Sequence, residues 1–207
     1  QIKALTFFGD SITVGAQASG FYKDTAGDKI VNLPYAPLVF ERVKKKFPAS
    51  ATLVYSNLAV GGKTSAWGVQ NIAEVVGTNP DIAVIAFGMN DGSGKVAVEE
   101  YQDNTRKMIE AIRAANAETA IILIAEFSPN PDLALAHYDQ RANNRNALRE
   151  LFQSLDNAAF VDVGHVSRQI VAAKKFQDIS GNNINHPNDF LHRIYADLVM
   201  KTFEEPR

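Results

Sequence analysis

Residues 81–87 read DIAVIAF and run straight into Gly88-Met89-Asn90-Asp91. Every position after Asp81 is apolar, without the in-out alternation of a half-exposed strand. Such a run is expected to form a strand buried on both faces, as strands of parallel sheets are. The same signature recurs on either side of it. Residues 2–8 (IKALTFF) form a β-rich run that ends at Gly9, and residues 119–125 (TAIILIA) form another. Residues 51–58 (ATLVYSNL) lead to Gly61-Gly62, and residues 159–163 make a weaker fifth run.

Helical spacing fills the gaps. Residues 35–47 carry Leu38, Val39, Val43 and Phe47 on one face, and residues 98–115 carry Tyr101, Met108, Ile109 and Ile112. Residues 137–155 and 189–203 complete the set. Strand alternating with helix predicts an α/β domain with a parallel five-stranded sheet covered on both faces. Right-handed crossovers would bring the carboxyl ends of all strands to one edge, where ligands of such folds bind. No internal repeat, low-complexity segment or linker interrupts residues 1–207, and Gly92 to Gly94 is too short to divide them, so one domain is expected.

Composition narrows the function classes. The 207 residues are 46% hydrophobic and 21% charged, with a net charge of −2 and a pI near 6.1, which argues against disorder and offers no electrostatic attraction to nucleic acid or to an anionic membrane. Lys44 to Lys46, the one basic run, reads as a solvated helix end. No cysteine is present, which excludes disulfides, thiolate metal sites and a cysteine nucleophile but leaves the compartment open. No apolar run approaches the roughly 18 residues of a membrane span, and no signal peptide is visible. The chain starts at Gln1 rather than Met, so a segment upstream is expected to have been removed or left out. A cleaved export signal or a neighbouring domain would each account for that, and a secreted or periplasmic address is expected over a cytoplasmic one.

The residues just beyond the strands are the chemical candidates. Gly9-Asp10-Ser11 follows the first strand, and a serine at such a turn has a free backbone N–H near the positive end of a helix. That suits a nucleophile whose oxyanion must be stabilised, although an N-cap role for Ser11 would explain the tripeptide as well. Gly61-Gly62-Lys63-Thr64-Ser65 follows the second strand, and glycine lets backbone approach a substrate closely. Asn90 follows the third and can aim its amide at the same point, though Asn and Asp are also ordinary turn formers. A serine nucleophile needs a base near neutral pKa, and histidine supplies one. Of the four histidines, His137 and His165 lie on helical stretches and read as ordinary surface or core residues. His186 sits in a loop ahead of the last helix, and His192 lies one turn inside it.

Taken in order, these blocks resemble the SGNH (GDSL-like) hydrolase family. The family has a GDS near the N-terminus, a glycine after strand two, G-x-N-D after strand three and a C-terminal D-x-x-H. Gly9-Asp10-Ser11, Gly62 and Gly88-Met89-Asn90-Asp91 match the first three. The resemblance implies a flavodoxin-like three-layer α/β/α sandwich and ester hydrolysis through an acyl-serine. Ser11 would be the nucleophile, with Ser11, Gly62 and Asn90 as the oxyanion hole and Asp10 and Asp91 beside the substrate. No metal or organic cofactor is implied.

The fourth block departs from the family form. His186-Pro187-Asn188 has the expected ending, but position 183 is Asn where the family has Asp. Read literally, the motif is Asp189-Phe190-Leu191-His192. Position ahead of the last helix favours His186 as base, with Asn183, a backbone carbonyl or Asp189 left to orient it. On the other reading Asp189 orients His192, and His186 only shapes the pocket. Chains of this size in the family include carbohydrate acetyl esterases, thioesterases, lysophospholipases and arylesterases. The absence of a long apolar lid favours a short-acyl substrate, a small-molecule or carbohydrate ester, and Trp67 and Tyr22 are candidate sugar platforms, although a lone Trp after the strand-two loop serves packing as often. Two rivals stand beside hydrolysis: an acyltransferase passing the same acyl group to a hydroxyl, and a non-catalytic, flavodoxin-type binder. The sequence sets no oligomeric state.

Overall fold

The computed structural model describes residues 2–21, 32–50, 52–133 and 138–204. Its sheet holds five strands in the order β2-β1-β3-β4-β5, and every neighbouring pair is parallel. The strands are β1 (Ala4–Gly9), β2 (Val54–Asn57), β3 (Ile82–Ala86), β4 (Ala120–Ala125) and β5 (Ala158–Asp162). The three apolar runs form the inner strands: β3 is buried at every position, and β1 and β4 at all but their first. β2 and β5 lie at the edges and remain partly exposed, which is why their sequences alternate more. β2 starts three residues later than its apolar pattern does.

Helices cover both faces. They are α1 (Ser11–Val14), α2 (Tyr35–Lys46), α3 (Ser65–Gly77), α4 (Met89–Ser93), α5 (Val98–Ala115), α6 (Tyr138–Gln153), α7 (Val163–Val171) and α8 (Asp189–Lys201). Because strand side chains alternate, Leu5, Phe7, Val84, Ile122 and Ile124 face one core with Val39 and Val43 of α2 and Leu191, Tyr195 and Val199 of α8. Phe8, Ile85, Ile121 and Leu123 face the other, with Val75 of α3, Met108, Ile109 and Ile112 of α5 and Leu148 of α6. Each such side chain contributes about 1.5–3 kcal/mol on leaving water. α5 spans the predicted residues, while α2, α6 and α8 each end one or two residues short of the pattern. The apolar-periodicity reading did not mark α3, whose residues follow the glycine turn, or α7, which starts directly at the end of β5.

From β1 the chain crosses to β2 on one side and then returns to β3 on the other. The switch therefore falls between β1 and β3, where such sheets open a crevice at the strand ends. The two strands pair as far as Gly9 opposite Ala86, and the Asp10 N–H continues the ladder to the Ala86 carbonyl at 3.3 Å. Gly9 is required by this close approach. A Cβ there would be driven into the Ala86 carbonyl oxygen and stand 2.5 Å from Thr13 Oγ1. Gly9→Ala is expected to cost about 2–3 kcal/mol of stability, read as a fall in melting temperature of roughly 4–12 °C.

Candidate active site at the carboxyl edge of the sheet

Ser11 stands at the first residue of α1, and it is not the helix cap. Asp10 is, its carboxylate accepting the Ile12 N–H at 2.9 Å. The Ser11 hydroxyl is thereby free for another partner, and that partner is His186, whose Nε2 lies 2.8 Å from Ser11 Oγ. A hydroxyl held against an imidazole is the geometry of an activated nucleophile and its base. The two residues are 175 positions apart, so only the closed fold brings them together.

The loops after β2 and β3 close on the same point. Gly62 has a φ of +76°, a left-handed conformation suited to glycine, and a Cβ added there would meet open space. Its N–H makes no hydrogen bond among the described residues, and neither does that of Ser11. Gly61 lies closer to the nucleophile than the motif match suggests, since its Cβ would stand 3.7 Å from Ser11 Cβ. Asn90 ties the three loops together, donating from Nδ2 to Asp10 Oδ2 at 3.2 Å and to the Lys63 carbonyl at 3.0 Å. Both amide hydrogens are thus engaged, and an oxyanion approaching Asn90 would share one of them.

Asp10 and Asp91, expected beside the substrate, are wholly buried. Their work is structural. Asp91 accepts the Ser65 N–H at 3.0 and 3.1 Å and the Ser65 hydroxyl at 2.5 Å, fastening the start of α3 to α4. Burial raises its pKa, and the Ser65 bonds work against that rise. Asp10 caps α1 and holds the Asn90 amide. Behind it lies Glu126, which sequence reasoning missed although it directly follows β4, the same rule that singled out Ser11 and Asn90. Glu126 Oε2 accepts the Met89 N–H at 2.8 Å, while Oε1 is sealed from solvent and has no hydrogen-bond donor among the described residues. Arg141 of α6 donates to the Met89 carbonyl at 2.9 Å and to Ser93 Oγ at 2.6 Å. Burial pushes Asp10 up to about 7 and Glu126 well above the usual carboxyl range, and the Asp10 charge raises Glu126 further. Each of the two carboxyls therefore holds a proton more tightly than it would in water.

The histidine loop is folded around Asn182. Its Oδ1 accepts the N–H groups of Ile184, Asn185 and His186, each at 3.0 Å. Its Nδ2 meets His186 Nδ1 at 2.8 Å and Asn185 Oδ1 at 3.2 Å. None of the orienting groups expected from sequence fills that place. Asn183 takes a left-handed φ of +57°, and its carbonyl accepts the Asn130 amide at 3.0 Å instead. Asp189 accepts the Ser19 N–H and hydroxyl at 2.8 and 2.7 Å and the Asn32 amide at 3.1 Å. His192 is fully buried against Tyr35 and Tyr195, its Nδ1 accepting the Tyr35 N–H at 3.4 Å. Burial pushes its pKa down to about 4, so it is a neutral core histidine away from Ser11. His186 is half-buried, and burial lowers its pKa too.

Of the two candidate sugar platforms, only Trp67 lies among the described residues. Trp67 packs on Phe8, ring centroids 5.6 Å apart, and Lys63 Nζ sits 5.8 Å from its ring, so packing explains it without a sugar. Tyr22 and His137 lie outside the described residues, and His165 is exposed. Among the described residues no His, Asp and Glu side chains are grouped to hold a metal ion, and no helix is long and apolar enough to cross a membrane.

The sequence matches the GDSL-like lipase/acylhydrolase family over residues 7–194. No curated protein matches it. Among solved structures, Axe2, an acetylxylan esterase from Geobacillus stearothermophilus, superposes with a TM-score of 0.77 at 19% identity, over 99% of this chain and 95% of that one. LAE5, an alpha/beta hydrolase enzyme from the metagenome of Lake Arreo, gives 0.77 at 19% identity over 98% and 95%. A Parabacteroides merdae protein described as a GDSL-like lipase gives 0.81 at 17% over 98% and 95%. At these identities the likeness is one of fold. Axe2 variants called catalytic mutants lack a serine, an aspartate or a histidine, and that aspartate precedes the histidine by three positions.

The buried Asp10–Glu126 pair generates a pH prediction. Carboxyls that hold a proton more tightly folded than unfolded make the folded state the better proton binder. Stability then falls as pH rises from the ordinary carboxyl range, near 4, through about 7. Glu126→Gln would keep an acceptor for Met89 and offer Asp10 an amide donor that does not titrate. Thermal melts from pH 4 to 8 should show a shallower decline for Glu126→Gln than for the wild type.

Proposed function

The chain belongs to the GDSL-like lipase/acylhydrolase family and is a carboxylic ester hydrolase, and on that premise we propose that it works through an acyl-serine on Ser11 with His186 as the base. The observation that carries this reading is the 2.8 Å hydrogen bond between Ser11 Oγ and His186 Nε2. Ser11 Oγ attacks the ester carbonyl carbon as its proton passes to His186 Nε2. The carbonyl oxygen becomes an oxyanion that the Ser11 and Gly62 N–H groups and the Asn90 amide stabilise. The tetrahedral adduct collapses, the carbon–oxygen bond to the alcohol breaks, and His186 returns the proton to that alcohol. Water repeats the sequence on the acyl-serine and frees the acid. For the ring to take a proton on Nε2, neutral His186 must enter the step with its own proton on Nδ1.

The substrate we favour is a short-acyl ester, an acetylated carbohydrate among small molecules. Support comes from the fold shared with Axe2, itself an acetylxylan esterase, over nearly the full length of both chains. One observation favours longer acyl groups as a second reading. Val60, Ile184 and Phe190 are exposed hydrophobics on the loop after β2, the histidine loop and the start of α8. Such side chains could carry an alkyl chain at the rim of the site.

Hydrolysis rates of acetate, butyrate and octanoate esters separate the two readings, and acetate should be fastest. Ser11→Ala is expected to abolish turnover, and His186→Ala to lose about 1,000-fold or more in kcat. Asn90→Ala should lose on the order of 100-fold. His192→Ala should leave kcat within a few-fold and lower stability instead. Full activity in Ser11→Ala would overturn the acyl-serine reading.

A further inference from the structure

His186 meets Ser11 with one ring nitrogen and Asn182 with the other, and the second contact limits what the first can do. The Asn182 amide cannot be turned around. Its Oδ1 is held by three backbone N–H groups at 3.0 Å, and exchanging oxygen for nitrogen would set an NH2 group against three donors. The group 2.8 Å from His186 Nδ1 is therefore the Asn182 NH2, which only donates. Nδ1 must accept, and a neutral imidazole that accepts on Nδ1 carries its proton on Nε2. That proton points at Ser11 Oγ.

We propose that Asn182 holds His186 in the Nε2–H form, so that at rest the ring donates to Ser11 and the esterase is limited by a tautomer switch that a carboxylate at position 182 would remove. The inference rests on the acyl-serine reading and concerns how fast that chemistry runs. The restraint acts twice. Before the reaction, the base tautomer needs a proton on Nδ1, where the Asn182 N–H already points. During it, the imidazolium carries protons on both nitrogens, and its Nδ1–H would face the Asn182 N–H donor to donor. Among the described residues Nδ1 has no other hydrogen-bond partner, and Asp189 is bound to Ser19 and Asn32 and the Asn183 carbonyl to Asn130. Asn182 is thus a positioning residue that aims the ring correctly and assigns its proton to the wrong nitrogen. An aspartate at 182 has the same shape. One oxygen would keep the three N–H bonds, and the other would accept from Nδ1–H and stabilise the imidazolium.

The test is Asn182→Asp, with acetate-ester kinetics over pH and nitrogen NMR of the His186 ring. In serine hydrolase triads the reverse exchange, aspartate to asparagine, lowers kcat about 10⁴-fold through the wrong tautomer. Asn182→Asp is accordingly expected to raise kcat by roughly 10²–10⁴-fold. It should also move the acid limb of the kcat/KM profile upward by about one pH unit or more, as a carboxylate beside an imidazolium does. In the wild type above that limb, NMR should find Nε2 protonated and Nδ1 bare; in the variant, Nδ1 protonated. A wild-type ring protonated on Nδ1, or a folded Asn182→Asp enzyme no faster than wild type, overturns the proposal. The wild-type spectrum decides it even if the variant does not fold. Adding Ser11→Ala to Asn182→Asp separates the two levels: activity that survives without Ser11 refutes the acyl-serine reading itself, whatever the tautomer.

Discussion

The pairing of β1 with β3 is the constraint on which the rest of the site depends. Both strands are apolar on both sides, so they can be buried only in the middle of the sheet, and the parallel ladder between them runs to its last residue. Because the chain goes left from β1 and returns to its right, the crevice opens where these two strands end. Ser11 is carried by the turn after one strand and Asn90 by the turn after the other. Gly9 lets those turns approach, since any side chain at that position would strike the neighbouring strand.

Directly beneath Ser11 the fold buries charge-capable groups, an arrangement that is unfavourable unless each is hydrogen-bonded or neutralised. Asp10 is held by the Ile12 N–H and the Asn90 amide, Asp91 by Ser65, and Glu126 by the Met89 N–H. The result is a buried polar layer that holds the Asn90 amide from below. Burial, which makes these residues useless as substrate ligands, is what makes them effective as supports.

The histidine loop works by local geometry. Asn182 folds the next four residues around its own carbonyl oxygen, an Asx-type turn, and in doing so sets the ring of His186 against Ser11. In Axe2 the aspartate and the histidine of the catalytic mutants stand three positions apart. Here Asn183 is swung into a left-handed conformation and away to Asn130, and the contact comes from four positions back. A one-residue shift in the donor and a change from acid to amide together exchange an acceptor for a donor on Nδ1.

Hydrophobic pattern and glycine placement were enough to read the five strands, the helices α2, α5, α6 and α8, and the turns bearing Ser11, Gly62 and Asn90. These are consequences of short-range periodicity and of glycine, which a sequence displays directly. α3 and α7 were not legible because a glycine turn and a strand end mask their starts. Glu126 could have been seen at the end of β4, whereas nothing in the sequence marks Arg141 as its neighbour. Placing His186 rather than His192 against Ser11, burying Asp10 and Asp91, turning Asp189 to Ser19 and Asn32, and finding Asn182 all required three dimensions. Which side chain is buried, and which nitrogen faces which amide, depends on contacts across as many as 175 residues of chain, and no local pattern records them.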